Sequence, residues 1–260
     1  MIEISNLNYL CFKNFNLKIE KNTYTSIVGC NKSGKTLLFK IISGLILVNK
    51  TCKCNGVELS NNNYFDYVKN IGIIPCVNEN SFVYKTVSEE LIFSLSNYGY
   101  PKFISKQIIK NILKEMNLLS IYDASIESLT LSSKQKLMFV IAFLHNPKVI
   151  LIDDVFSLLN NKDKKVILKY LDKLKQKGLT IVHFTTNLNE VIKSDCLCLL
   201  NDYTIKKSGN PLELLEDDQL FYQCGLEIPF MIDLSVKLKM YNLLDSVCLN
   251  MEEVVNKLWK

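Results

Sequence analysis

Hydrophobic and polar positions alternate in two short runs near the start of the chain, "IEISNLNYL" (2–10) and "NFNLKI" (14–19). A period of two belongs to strands with one buried face, and two such runs in succession predict an antiparallel sheet. In "YTSIVGCNKSGKTLLFKIISGLI" (24–46) the pattern changes to a short apolar strand, a glycine-bounded loop, and a helix with Leu37, Leu38, Ile41, Ile42 and Leu45 at helical spacing. From about 80 to 145 the pattern is helical, and "IIKNILKEMNLL" (108–119) is its clearest amphipathic segment. Strand, helix and strand return with "KVILIDD" (148–154), a lysine-rich helix over 160–178, "LTIVHFTTN" (179–187) and "CLCLL" (196–200). Strands that are apolar throughout and alternate with helices predict a parallel sheet covered on both faces. After "GNP" (209–211) the chain turns to short helices up to Trp259, which predicts a small C-terminal helical unit.

Composition narrows the class. At 260 residues and 48% hydrophobic content the chain can fill a large core. Its apolar stretches, such as "LMFVIAFL" (137–144), fall short of the roughly 18 residues a membrane span needs. No charged-then-apolar leader opens the sequence, so a soluble, unexported protein is expected. The net charge of +5 is mild. Lysines of the 160–178 segment leave Val166, Leu168, Leu171 and Leu174 for a buried face, the spacing of a solvated helix rather than a nucleic-acid patch. No nucleic-acid partner is expected, and a weak preference for an acidic membrane surface fits the charge. Nine cysteines, an odd number without C-x-x-C spacing, predict reduced thiols acting as small apolar residues.

The chemistry concentrates in two places. "GCNKSGKT", Gly29 to Thr36, fits G-x-x-x-x-G-K-[ST] in full and follows a predicted strand and opens a predicted helix. Glycines let such a loop fold around phosphates, so that backbone N–H groups and the helix N-terminus face the negative charge. Lys35 is then placed for the β- and γ-phosphates and the Thr36 hydroxyl for Mg²⁺. The expected ligand is a nucleoside triphosphate. Downstream, "VILIDD" ends an apolar strand on Asp153 and Asp154, and Asp153 is expected to hold Mg²⁺ opposite Thr36.

Between these elements, "LTLSSKQKLMFVIAFLHNPKVILIDD" (129–154) predicts a capped helix entering the second strand, with Ser132 as N-cap and Gln135 reciprocating as a capping box. The same stretch resembles the LSGGQ signature region of ATP-binding cassette (ABC) ATPases: Leu131, Ser132 and Gln135 stand where the family has them, and Ser133 and Lys134 replace its two glycines. "IGIIPCVNENSFVYKTVSEEL" (71–91) is similar to the family's Q-loop segment with Cys76 in place of glutamine. "SLLN" (157–160) resembles the D-loop without its terminal Asp, and "TIVHFTTNLNEVIKSD" (180–195) the switch region with Thr186 in place of histidine. His183, three residues earlier, is expected to be a satisfied core residue. "GNPLELL" followed by "CGLEIPF" (224–230) resembles the end of the ATPase subunits of energy-coupling factor transporters.

The resemblance implies an α/β P-loop NTPase of ABC type: a RecA-like parallel core with an antiparallel β subdomain and a helical subdomain (about 80–145), together spanning 1–209. Residues 210–260 are implied to form a C-terminal helical dimerisation unit. ATP would be bound by Gly29, Asn31, Ser33, Gly34, Lys35 and Thr36, with Tyr9 stacking on adenine; Ser132 and Gln135 would face the nucleotide of a partner chain. Asp154, Cys76 and Thr186 take the catalytic positions. Each departs from the family's residue type, which implies ATP hydrolysis with impaired turnover. Asp154 is one methylene shorter than the family's glutamate, and a displacement of about 1 Å at a reacting group can cost about 10²-fold in rate. Implied partners are a second, more regular ATPase subunit, a membrane scaffold subunit and a substrate-binding membrane subunit, with the chain peripheral on the cytoplasmic face of the membrane. An exporter subunit and a nucleotide-gated regulatory subunit with little hydrolysis are the alternatives.

Overall fold

The computed structural model describes residues 1–48 and 50–258; Asn49, Trp259 and Lys260, and with them the end of the predicted tail, lie outside it. The two N-terminal runs form β1 (Ile2–Tyr9) and β2 (Phe12–Ile19), paired antiparallel as their alternation predicts. Ile2, Ile4 and Leu7 face inward with Phe12, Phe15, Leu17 and Ile19. β4 (Cys52–Cys54) pairs with the free side of β1, and β5 (Val57–Glu58) with β4, giving the order β2-β1-β4-β5. Cys52 and Cys54 lie on its buried face as small apolar residues.

The second sheet has the order β10-β9-β3-β8-β7-β6. β3 (Tyr24–Val28), β6 (Ile71–Ile74), β7 (Val149–Asp153), β8 (Thr180–Thr185) and β9 (Cys196–Asn201) run parallel, and β10 (Thr204–Gly209) closes one edge antiparallel to β9. Neither β6 nor β10 stands out in the sequence. β6 is only four residues long and contains Gly72, where a Cβ would lie 2.4 Å from the carbonyl oxygen of Ala142, and β10 is the largely polar "TIKKSG".

Both faces of this sheet are covered, which is why its strands are apolar throughout. On β7, Val149 and Leu151 join a core beneath the antiparallel sheet and α1 (Lys35–Ile42), while Ile150 and Ile152 join the core made with α5 (Leu131–Phe143) and α6 (Asn161–Gln176). That second core extends to α3 (Val87–Ser96) and α4 (Lys102–Glu115) of the helical segment. A short α2 (Tyr64–Val68) precedes β6 and buries Tyr67, whose hydroxyl donates to the Ile42 carbonyl at 2.7 Å.

Three local expectations are corrected. α1 stops at Ile42 because Gly44 takes a left-handed φ of 78°, so Leu45 lies beyond the helix and is exposed. The buried stripe of α6 is centred on Leu171, as expected, and on Ile167, which the expectation left out; Val166, Leu168 and Leu174 flank it half-buried. The N-cap of α5 is Thr130, whose hydroxyl accepts from the Ser133 N–H at 3.2 Å; Ser132 lies in the first turn and no capping box forms.

Beyond β10, α7 (Pro211–Leu215), α8 (Asp218–Gln223) and the start of α9 (Phe230–Met240) bury Leu214, Leu215, Phe221, Leu226 and Ile232 against Val28, Leu197 and Leu199. The change of character at residue 210 is therefore no break in packing. A separate small core of Leu244, Cys248 and Val254 follows, the last on α10 (Met251–Leu258).

The chain has two histidines, and both are buried. Burial lowers His183 from 6.5 to about 3, and lowers His145, stacked on Tyr98 at 3.9 Å, to about 4 against a hydrogen bond to the Ile71 carbonyl that opposes the fall. As pH drops below 6.5 the unfolded chain takes up protons that the folded chain refuses. Stability present at neutral pH is thus lost from 6.5 down towards 4. Urea unfolding at about pH 7 and about pH 5.5 should show a loss of about 1.4 kcal/mol per histidine for each pH unit below its ordinary value; an unchanged midpoint would contradict the burial.

Candidate functional site

The parallel register sets the site. Val28 lies beside Thr185, and Asp153 beside Phe184, so the ends of β3, β7 and β8 open at one level. Crevices at the carboxyl ends of parallel strands are where open α/β sheets bind ligands. A cavity of about 410 Å³ occupies this edge, walled by Asn31, Gly34, Lys35 and Thr36 from the loop and start of α1, by Cys76 beyond β6, and by Asp153 and Asp154 at the end of β7.

The loop can be built only with its glycines. A Cβ on Gly29 would lie 2.2 Å from the Leu200 carbonyl oxygen, and Gly34 holds a φ of 109° against the Tyr203 ring. Lys35 is buried, and its Nζ donates to the Gly29 and Cys30 carbonyls at 2.6 and 3.0 Å, folding the loop around the ammonium. Burial lowers the Lys35 pKa, and Asp154, Cys30 and Asp153 partly restore it. Ser33 is buried within the loop, its hydroxyl without a partner. The outcome is a cationic group and a helix N-terminus facing one cavity, the arrangement that receives phosphate.

Opposite, burial and then repulsion from Asp154 raise the Asp153 pKa, against the pull of Lys35 and Lys40. Two adjacent carboxylates and the Thr36 hydroxyl lining one cavity form a set of hard oxygen donors. A divalent cation such as Mg²⁺ suits that set and would relieve the repulsion.

Asp154 sits in the left-handed region, φ 52°, with its N–H donating to the Phe184 carbonyl at 2.9 Å. Its carboxylate accepts from Thr185 Oγ1 at 3.2 Å and Thr186 Oγ1 at 3.5 Å. Cys76 Sγ approaches the carbonyls of Asp153 and Asp154 at 3.5 and 3.4 Å, and burial pushes its thiol up, with the two aspartates adding to the shift. Cys76 and Asp154 thus share the cavity wall. Thr186 faces a neighbouring groove with Asn31, Asn187 and residues 225–230.

The other expected residues fall elsewhere. Tyr9 is packed at the edge of the core under the antiparallel sheet and does not line the cavity. The ring in the wall is Tyr203, whose N–H donates to the Ser33 carbonyl at 3.1 Å and whose ring meets Phe12 edge-on. It lies in the "NDY" turn joining β9 to β10, and nothing in the sequence marks it for this place.

Gln135 is engaged within the chain. It is fully buried, accepting from the Val77 N–H at 2.8 Å and donating to the Pro75 carbonyl at 3.1 Å, so within the chain its amide fixes the Cys76 segment. Ser132 is half-buried; its hydroxyl donates to Asp163 Oδ2 at 2.7 Å and accepts from Asn160, the N-cap of α6. Lys136 completes this cluster with an ion pair to Asp163 at 2.7 Å. Burial works against the Asp163 carboxylate, and its bonds from Lys136 and Ser132 outweigh that, holding its pKa below the ordinary value. His183 is buried as expected and partly satisfied: Nδ1 meets the Tyr24 hydroxyl at 3.2 Å and Nε2 makes no hydrogen bond.

Truncation of Gln135 to alanine should lower stability by about 1–3 kcal/mol in chemical denaturation, because a buried N–H and carbonyl on either side of Cys76 lose their partner; no loss would show that the clamp is dispensable.

The sequence matches the family described as "ABC transporter" over residues 12–157. The energy-coupling factor transporter ATP-binding protein EcfA1 of Fusobacterium nucleatum is 31% identical, covering 100% of this chain and 99% of that protein. The protein of the same name from Mesomycoplasma hyopneumoniae strain J is 32% identical over 98% of this chain and 93% of its own length. Among solved structures, cbiO1 from Clostridium perfringens, described as part of the ABC transporter complex cbiONQ, superposes with a TM-score of 0.74 at 21% identity, covering 90% of this chain and 97% of that one. It shares the fold.

Proposed function

The chain belongs to the ABC transporter family, and we propose that it is the ATP-binding subunit of an energy-coupling factor importer in which ATP is held well and cleaved slowly. The observation that carries this is the single cavity joining Lys35, Thr36, Asp153 and Asp154. Loop N–H groups and Lys35 bind the phosphates, with Asn31, Ser33 and the two glycines shaping the loop. Tyr203 offers its ring to the base in place of Tyr9. Thr36 and Asp153 hold Mg²⁺, which when bound neutralises phosphate charge. Asp154 takes the position that polarises the attacking water. Its carboxylate is turned onto Thr185 and Thr186, Cys76 offers a thiol where an amide would both donate and accept, and Thr186 has less reach than a histidine.

Assembly follows from the same residues. With Gln135 buried and the Ser132 hydroxyl engaged by Asp163 and Asn160, the signature helix presents Ser133 and Lys134 to a second nucleotide. A partner ATPase of more regular sequence would complete the pair. Exposed Phe230, Met240, Tyr241 and Leu243 in the C-terminal unit (210–260) supply apolar surface for that dimer. A membrane scaffold and a substrate-binding membrane subunit complete the importer, with this chain peripheral on the cytoplasmic face. No helix among the described residues is long and apolar enough to cross a membrane itself.

Titration with MgATP should show binding that Lys35→Ala weakens at least about tenfold, the loss of one charge-assisted contact. In the assembled transporter Asp154→Glu should raise ATP turnover by about 10–100-fold. An unchanged rate would shift the defect to Cys76 and Thr186, and wild-type turnover equal to that of ordinary ABC ATPases would refute slow cleavage. Reconstitution with the scaffold should require the paralogous ATPase; a stable, active homodimer on it overturns the heterodimer.

A further inference from the structure

Behind Asp154 lies a buried polar cluster that none of the binding motifs uses. Thr185, fully buried at the end of β8, places Oγ1 at 3.2 Å from Asp154 Oδ1 and 3.1 Å from Glu190 Oε2. The same oxygen accepts the Asn187 N–H at 3.1 Å. A hydroxyl has one proton, so it donates to one carboxylate at a time.

Glu190 has a second donor and Asp154 has only a weak one. Lys164 of α6 bonds Glu190 Oε1 at 2.9 Å, and the Glu190 side chain is 6% exposed. His183, buried on β8 and kept neutral by that burial, brings Nε2 to 3.5 Å from Oε2 without a hydrogen bond, and Tyr24 of β3 holds its Nδ1. The Thr186 hydroxyl reaches Asp154 Oδ2 only at 3.5 Å, the limit of a hydrogen bond. The single Thr185 proton alternates between Glu190 Oε2 and Asp154 Oδ1, which stand at nearly equal distances, while Lys164 holds Glu190 by its other oxygen and the Asn187 N–H fixes the Thr185 oxygen.

We infer that Glu190 is a positioning residue for hydrolysis, holding the Asp154 carboxylate in place through the Thr185 hydroxyl. Lys164 extends the anchor to α6, whose N-cap Asn160 contacts Ser132 of the signature helix, so the segment after β8 and the partner-facing helix share one support.

The inference rests on Asp154 acting on the attacking water, and the test separates the two. In the full chain assembled with its partner ATPase and membrane subunits, Glu190→Gln and Thr185→Val should each lower kcat by about 10–100-fold. KM and MgATP affinity should stay within about twofold. Thr185→Ser, which keeps the hydroxyl, should restore most of the rate and guards against a folding defect in the valine variant. In an Asp154→Asn background, Glu190→Gln should cause no further loss. Equal losses with and without Asp154, a parallel fall in nucleotide affinity, or a serine variant as slow as valine overturns the positioning role. Turnover that Asp154→Asn leaves unchanged overturns the reading of Asp154 itself.

Discussion

Everything in the site depends on one register. β8 pairs with β3 so that Val28 meets Thr185, and with β7 so that Asp153 meets Phe184. Because side chains and strand ends are fixed together in a parallel ladder, a slip of one residue would turn Thr185 to the opposite face and carry Asp153 away from Lys35. Two cores hold the register from either side, with alternate residues of β7 going to each. The cavity edge can therefore contain buried or half-buried charges because the sheet beneath it has no freedom to shift.

Polar groups near that edge are arranged in two layers. Of those facing the cavity, Lys35, Asp153 and Asp154 carry charges that a bound nucleotide and cation would balance, and Thr36 adds a hydroxyl. Those behind, Thr185, Glu190 and Lys164, balance one another, and His183 stays neutral among them. A third group, Ser132, Lys136, Asp163 and Asn160, ties the signature helix to the start of α6. Ion pairs this far from solvent add little to stability, since desolvation offsets most of their attraction.

Much of the fold was legible in the order of residues. The N-terminal alternation marks two paired strands, and the wholly apolar runs of β3, β7 and β8 mark a sheet covered twice. The phosphate loop was legible because its requirements are local: glycines where a Cβ collides, then lysine and threonine opening a helix. Less was legible where length or partnership decides. β6 is too short to show a period, and β10 is a polar edge strand defined by pairing with β9. Ser132 and Gln135 fit a capping box by spacing, and their side chains instead found partners 28 to 60 residues away in sequence.

Among the site residues the same division holds. By itself the sequence determined the glycine-bounded loop that opens α1 and the paired carboxylates at the end of β7, since each is a matter of residue type at a fixed local spacing. Only the tertiary structure decided that Tyr203 and not Tyr9 walls the cavity, that Gln135 clamps the Cys76 segment, and that Glu190 stands behind Asp154. Those relations join residues distant along the chain. No local preference encodes them; they follow from which strands lie side by side and how the two cores fill around them.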